Sequence, residues 1–434
     1  MKLIIHRGTK EIGGNCVELS TENTRVVIDL GMPLVDARGE PFDSRELEDK
    51  SIPELVDERL LPNVPGLYAG EDKTVDAVLL SHSHQDHYGL FRYINPEIPV
   101  YMTEGAQALI NASDLFIPTK ANIQKPIVFE KRKSLTIGDF TVAPRLVDHS
   151  AFDAVAFLIE GKDKKIFYSG DFRCSGRKRK LFEHMINHPV KDIDYLLLEG
   201  SMLGRVEGPY PNEESVEQKL ESTFKNKQNI AFVFCSSQNI DRIVSIYKAA
   251  KHTGQTIVID LYTAYILDSL KCISRRLPQY FWRDIRVIYF KYHAKTLADN
   301  DLLNFLYKCN KNKIEKVDVN RDRKNIVMIT RDNYDFTKIL DNIDNASGVK
   351  AIYSMWEGYL EKSGLEEKLR QREIQLERVH TSGHATKQDL KRFVEAMKPG
   401  CLIPIHTFYP QDYQGLFFDT PVRQLEDGEM LVLK

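Results

Sequence analysis

Short apolar runs recur along this chain, and many of them stop abruptly at a histidine or a carboxylate. Runs this brief, rich in Val, Ile, Leu and aromatic residues, predict β-strands. They occur at Leu3–His6, Cys16–Leu19, residues 25–31, 77–80, Val100–Thr103, Phe140–Leu146, Ala154–Glu160, Lys165–Tyr168 and Tyr195–Leu198. Residues 33–72 are rich in Pro, Gly and acids, which predicts a long excursion with a short helix near Pro53–Leu60. Helical spacing is read at Gly105–Leu115, and Asp86 suits the cap of a helix over His87–Ile94. Beyond about residue 208, strand-like and helical runs alternate. The strands are Asn229–Cys235, Thr256–Asp260, Asn325–Thr330 and Val349–Tyr353, and a later strand Gln375–Val379 leads to His380. The helices are Asn239–His252 and Leu297–Lys308, with a charged helix Leu365–Arg372 following the strand Val349–Tyr353. This alternation predicts a parallel α/β unit. A last helix carries Leu390, Phe393, Val394 and Met397 and stops at Pro399-Gly400, after which Cys401–Ile405 delivers His406.

Bulk properties narrow the picture. A chain of 434 residues exceeds the size at which one core stops growing, so two domains or a large insertion are expected. A net charge of −2 excludes a polycation built for nonspecific nucleic-acid binding, so any such site is a local groove. The six cysteines lack CxxC spacing, as expected of reduced thiols in a cytoplasmic protein. The sequence shows no signal peptide and no bilayer-length apolar run, so no membrane partner is expected. Two features stay open at this point. The basic run Arg173, Arg177, Lys178, Arg179 and Lys180 suits a phosphate groove or a solvated face. Tyr353, Trp356 and Tyr359 suit base stacking or packing between domains.

The densest chemistry lies in Asp76–His87. At an extended strand end, His82 and His84 project from one side about 6–7 Å apart, close enough to converge on one ion. Asp86 and His87 follow and could serve a second ion. Three histidines and a carboxylate suit zinc or a similar borderline cation. The other strand ends repeat the theme with Asp29, Asp171, Glu199, His380, His384 and His406, and His149 lies just past one. Side chains at the carboxyl ends of neighbouring strands can converge, which argues for one site.

This pattern resembles the metallo-β-lactamase superfamily, and within it the β-CASP nucleases, which include ribonuclease J and the polyadenylation endonuclease. The superfamily's HxHxDH motif stands as His82-Ser-His84-Gln-Asp86-His87. Asp29, His149 and Asp171 match its other motifs, Glu199, His384 and His406 match the β-CASP additions, and Gly8–Asn15 looks like the ribonuclease J opening. The resemblance implies an α/β fold, an αββα sandwich over 1–207 and 366–434 with a Rossmann-like β-CASP domain inserted at 208–365. It implies two divalent ions, zinc or alternatively manganese. One would be held by His82, His84 and His149, the other by Asp86, His87 and His406, with Asp171 bridging and Asp29 orienting the ligands. Asp86, Asp171, Glu199 and His384 would be catalytic, with His384 the general acid. His380, Ser382 and Gly383 would contact substrate phosphate.

The activity so implied is hydrolysis of single-stranded RNA by a metal-activated hydroxide, leaving 5′-phosphate and 3′-hydroxyl ends. His406 tilts the choice toward RNA, because the DNA-repair branch usually carries valine there. A nuclease acting on DNA, a small-molecule metallo-hydrolase and a catalytically silent RNA-binding subunit are the competing expectations. Ribonuclease J usually continues into a further domain, so assembly as a homo-oligomer stays open.

Overall fold

Alternate residues of the N-terminal strands serve two different cores. Val26 and Ile28 pack with Leu3, Ile5 and Leu79 on one side, while Val27 joins Val78, Leu80 and Val100 on the other. This is the two-residue period of a strand buried on both faces. Each fully buried aliphatic or aromatic side chain contributes about 1.5–3 kcal/mol, so both faces matter to stability. The computed structural model describes residues 1–434 apart from 37–38, 118–119 and 362.

Among the described residues the strands form three sheets. The first runs Met430–Val432, Lys2–Arg7, Cys16–Ser20, Arg25–Ile28, Ala77–Leu79, Val100–Met102, Pro126–Val128 in spatial order. The second runs Cys401–Ile405, Tyr195–Glu199, Lys164–Tyr168, Val155–Gly161, Phe140–Leu146, Leu135–Ile137. Their inner faces share one core, in which Val17, Val26 and Ile28 meet Phe140, Phe157, Ile166 and Ile403. Helices Ile52–Asp57 and Glu104–Ser113 cover the outer face of the first sheet through Leu55, Ala106 and Ile110. Helices Lys180–Asn187 and Lys387–Met397 cover the second through Phe182, Leu390, Phe393 and Val394. The result is the four-layer αββα arrangement that the resemblance implies.

The third sheet lies at Lys313–Ile314, Ile285–Ile288, Thr256–Asp260, Ile326–Thr330, Ala231–Phe234, Lys350–Tyr353, Leu376–Arg378, and every neighbouring pair is parallel. Ala231 and Val233 face one core and Phe232 and Phe234 the other, which explains their unbroken apolar run. Leu109, Ala112 and Phe116 from the sandwich enter the first of these cores, so the two sheet systems pack directly.

Three expectations change. The helix expected over Leu297–Lys308 is two, Lys291–Asp299 and Leu303–Cys309, separated where Asp301 takes a left-handed backbone (φ 60°). The helix expected over His87–Ile94 is one turn, Gln85–Tyr88, followed by a 3₁₀ turn at Phe91–Tyr93. His84, not Asp86, occupies its cap position, and the Asp86 carboxylate lies instead among the ligand-type side chains. The return expected at 365/366 also moves. Leu365 and Leu369 pack in the third sheet's core and Leu376–Arg378 pairs with Lys350–Tyr353, so these residues go with that sheet. No helix among the described residues is long and apolar enough to cross a membrane.

Candidate metal centre

Strand direction brings the site together. Arg25–Ile28 runs parallel to Ala77–Leu79, and Lys164–Tyr168 parallel to Tyr195–Glu199 and Cys401–Ile405. Two successive antiparallel pairings return Phe140–Leu146 to the direction of Lys164–Tyr168. The residues just past these strands therefore meet at one edge of the sandwich. There the Val155 N–H donates to the Ser81 carbonyl at 3.0 Å, and the Asp29 N–H to that of Leu79 at 2.8 Å. The turn Gln85–Tyr88 docks on residues 30–32 through Leu30 N–H to His87 O (2.9 Å) and Met32 N–H to Gln85 O (2.9 Å). Gly31 makes that docking possible, since a Cβ there would stand 1.6 Å from the Asp86 carbonyl oxygen.

His82, His84 and His149 form one group, with a nitrogen of each within 4.8 Å of the others. His149 Nε2 faces His84 Nδ1 at 3.1 Å, and His149 Nδ1 donates to the Gly383 carbonyl at 2.6 Å. That bond fixes the ring and leaves the Nε2 lone pair facing inward. Burial pushes the His82 and His149 pKa values well below the ordinary range, and that of His84 to about 4, so all three are neutral at pH 7.

Asp86, His87, Asp171 and His406 form a second group of the same tightness. Asp171 sits between the two. Its Oδ2 lies 3.2 Å from His87 Nε2, 3.5 Å from His406 Nε2 and 3.7 Å from His82 Nε2. Burial, the largest influence, raises the Asp171 carboxyl pKa against the lowering effect of His87 and His384. For His87, burial opposes the charged form most strongly, but Asp171, Asp29 and Asp86 together outweigh it and raise the pKa well above the ordinary value.

Asp29 stands behind both groups. It accepts from Ser81 N–H (2.8 Å), Ser81 Oγ (2.7 Å), Tyr168 OH (2.7 Å) and His87 Nδ1 (2.8 Å). Since the Ser81 hydroxyl gives its proton to Asp29, it accepts from His82 Nδ1 at 3.0 Å. Both rings thereby commit Nδ1 to donation and turn Nε2 inward, bare on the neutral His82 and, on His87 with its raised pKa, free to act as a ligand only once its proton is displaced. His406 differs, because the Gly13 N–H donates to its Nδ1 at 3.3 Å and favours the opposite tautomer. The Nε2 atoms of His82, His87 and His406 and both Asp171 oxygens are buried without a hydrogen-bond partner. Orphaned nitrogen and oxygen donors converging in this way fit divalent metal binding.

His384 closes the open side. Its Nδ1 lies 3.4 Å from Glu199 Oε2 and 3.7 Å from Asp171 Oδ2. Glu199 is held by the N–H of Phe172 (3.1 Å) and by Ser201 N–H and Oγ (3.1 and 2.8 Å). Burial works against a charged His384, but Glu199 and Asp171 outweigh it and raise the pKa. The preceding loop has a structural task that its sequence did not show. Gly383 orients His149 through its carbonyl and abuts Ser150, whose Oγ would lie 2.8 Å from a Cβ. The Ser382 hydroxyl accepts from the His384 N–H at 3.0 Å and lies 3.2 Å from the Met202 sulfur. His380 sits 3.2 Å from Arg242 Nη1, and burial, then Arg242, lower its pKa to about 3. It is a neutral ring and offers phosphate no positive charge.

The basic run fits neither alternative as a whole. Arg173 is fully buried and donates to Asp241 Oδ2 (2.7 Å) and the Ser382 carbonyl (3.1 Å), while Arg177 pairs with Glu217. Arg242, also buried, pairs with Glu213 at 2.9 Å and donates to the Ser354 carbonyl at 2.9 Å. This charged joint ties the metal edge to the third sheet. Glu213, Asp241 and Arg242 escaped the sequence reading because each lies in an ordinary amphipathic helix. The helical cluster Glu217, Glu221 and His252 is also brought together, with Glu217 already engaged by Arg177.

Known proteins resemble this chain in sequence and in fold. A β-lactamase superfamily domain matches residues 51–221, and a Zn-dependent metallo-hydrolase RNA specificity domain matches 371–412. Ribonuclease J of Helicobacter pylori is 24% identical over 415 residues, covering 93% of this chain and 55% of that protein. Ribonuclease J of Sinorhizobium meliloti is 23% identical over 402 residues, covering 86% of this chain and 66% of that protein. The chain thus spans about half the length of the first of these curated relatives. A crystal structure of a protein of unknown function from Enterococcus faecalis V583 superposes with a TM-score of 0.78 at 23% identity, covering 100% of this chain and 99% of that one.

Proposed function

Because the chain belongs to the β-CASP group of the metallo-β-lactamase superfamily, alongside ribonuclease J, we propose that it is a metal-dependent ribonuclease. Its substrate is single-stranded RNA, and its products carry 5′-phosphate and 3′-hydroxyl ends. The observation that carries this reading is the position of Asp171 between two ligand groups, with the His384–Glu199 pair at their open side. Two divalent ions, zinc or manganese, would supply Lewis acidity and lower the pKa of a bound water when present. His82, His84 and His149 would hold one, Asp86, His87 and His406 the other, and Asp171 would serve both. Asp29 sets the tautomers of His82 and His87. His384, whose pKa Glu199 and Asp171 raise against burial, turns Nδ1 to Glu199 and has Nε2 left to protonate the departing 3′ oxygen. Contacts of His380 and Ser382 with phosphate would be those of neutral donors.

The division of labour belongs to the same proposal. Residues 1–207 and the C-terminal segment hold the ions, and the inserted unit, from 208 to the end of Leu376–Arg378, clamps the strand. The six free cysteines fit a cytoplasmic setting.

The test is a zinc-supplemented cleavage time course on matched 5′-phosphorylated RNA and DNA single strands, run beside Asp86→Ala. RNA loss that vanishes in the variant, with 3′-hydroxyl products, is the expected result. Preferential loss of DNA, or equal cleavage by the variant, would overturn it.

A further inference from the structure

Exposed aromatic rings crowd the open side of the metal centre, and the chemistry above leaves them without a task. Of the three aromatics near the end of the third sheet, only Tyr353 is core. It is 2% exposed and its hydroxyl donates to the Trp356 carbonyl at 3.0 Å, holding the start of the helix Glu357–Leu360. Trp356 and Tyr359 are 40% and 58% exposed. Their rings meet edge to face, with centroids 5.2 Å apart. Trp356 lies flat over Gly358, where a Cβ would stand 2.4 Å from the indole.

The facing side belongs to the sandwich. The Arg205 guanidinium lies 5.4 Å from the centre of the Trp356 ring, and Tyr409 covers Gly204, where a Cβ would stand 2.3 Å from the ring. Arg205 follows Glu199 in its strand-end loop, and Tyr409 follows His406. Both sides reach the centre. On one side the Trp356 ring lies against Arg205, six residues past Glu199; on the other the Asp86 carboxylate, after burial, raises the pKa of the Tyr359 phenol. Asp86, His84 and His384 are the partly exposed members of the centre, so this is its entrance.

Single exposed aromatics are common, but a cluster at an entrance marks a binding surface. We propose that Trp356 and Tyr359, faced by Arg205 and Tyr409, form a clamp that stacks nucleobases of a single-stranded nucleic acid beside the scissile phosphate. The inference rests on the ribonuclease reading and names how that site grips its substrate. Every base offers a π-face, so such a clamp tolerates any sequence, and Arg205 adds a planar cation suited to bases and phosphate alike. A chain of net charge −2 cannot draw RNA by overall charge, which makes stacking at the entrance the more important source of grip. A protein or a second copy seated here would block the entrance.

The experiment compares steady-state cleavage of a 5′-phosphorylated RNA with the same oligomer carrying one abasic nucleotide, walked along its length. Trp356→Ala and Tyr359→Ala, with zinc content and melting temperature checked against wild type, should raise KM about tenfold with a smaller change in kcat. Trp356→Phe should recover most of the loss. One abasic position should raise the wild-type KM similarly and add nothing further in Trp356→Ala. Wild-type KM in both alanine variants, or an abasic penalty undiminished in Trp356→Ala, overturns the clamp and leaves the ribonuclease reading standing. Concentration-dependent dimerisation lost in Trp356→Ala, with KM unmoved, assigns the surface to a second copy instead. If the wild-type chain cleaves no RNA, the reading and the clamp fall together.

Discussion

Asp29 points at no ion position, yet it decides which nitrogen of two histidines does. Its carboxylate accepts from His87 Nδ1 directly and from His82 Nδ1 through the Ser81 hydroxyl. Asp29→Asn would put a donor where an acceptor is required and release both tautomers. Zinc affinity should fall by about 10–100-fold, read by competition with a chromophoric chelator. His384 calls for a different measurement. His384→Ala should keep both ions and lose turnover by about 10²–10⁴-fold; loss of metal instead would mean that His384 is a ligand. Its pKa is raised in the fold, so the proton-donating form is fully present below the ordinary histidine value and is lost as pH rises through the raised one. Glu199→Gln removes a carboxylate that holds that value up. The alkaline limb of the kcat–pH profile should therefore move to lower pH, and an unmoved limb would place the titrating acid elsewhere.

At the scale of elements, the turn Gln85–Tyr88 shows how one position governs several ligands. Local preference expects a longer helix capped by Asp86; the structure stops it at one turn, seats it on residues 30–32, and turns Asp86 and His87 inward. Gly31→Ala would drive a methyl group into the Asp86 carbonyl, a backbone atom that no rotamer change can move aside. Relief requires shifting the turn itself, so destabilisation of about 1–3 kcal/mol and weaker zinc retention are expected together. Calorimetry and bound-metal analysis measure the two. A stable variant with full zinc would show that the docking is not what sets Asp86 and His87.

At the scale of the whole molecule, Glu213 holds the two sheet systems together between Arg242 and Arg173. Burial works hardest against its charge, but the two guanidinium groups outweigh burial and lower its pKa to about 2. That stabilisation is fully present above the ordinary carboxyl value of 4.5 and is lost as pH falls from there towards 2. Glu213→Gln leaves two buried arginines short of a counter-charge and should cost about 3–5 kcal/mol at neutral pH. Urea unfolding at a series of pH values should show the variant's stability less sensitive between pH 4.5 and 2 than the wild type's. Equal acid sensitivity would assign that dependence to other carboxylates.

The sequence by itself determined most of the strands, though not Pro126–Val128, Leu135–Ile137, Ile285–Ile288, Lys313–Ile314 or Met430–Val432, and showed ligand-type residues at the ends of those it marked. Strand alternation and the His82–His87 spacing are local properties, readable wherever the fold places them. It also showed the alternating character of the later part of the chain, because strands buried on both faces are apolar throughout. Tertiary structure alone decided the rest. Arg173 reads as one of several bases in a charged run until Asp241 and Glu213 come from distant helices to bury it. The charge state of His380 depends on Arg242 lying against it, and Trp356, which suits stacking and packing alike, stands half-exposed against Arg205. In each case the deciding partner lies far along the chain, and a side chain's charge state and exposure depend on what folding brings next to it.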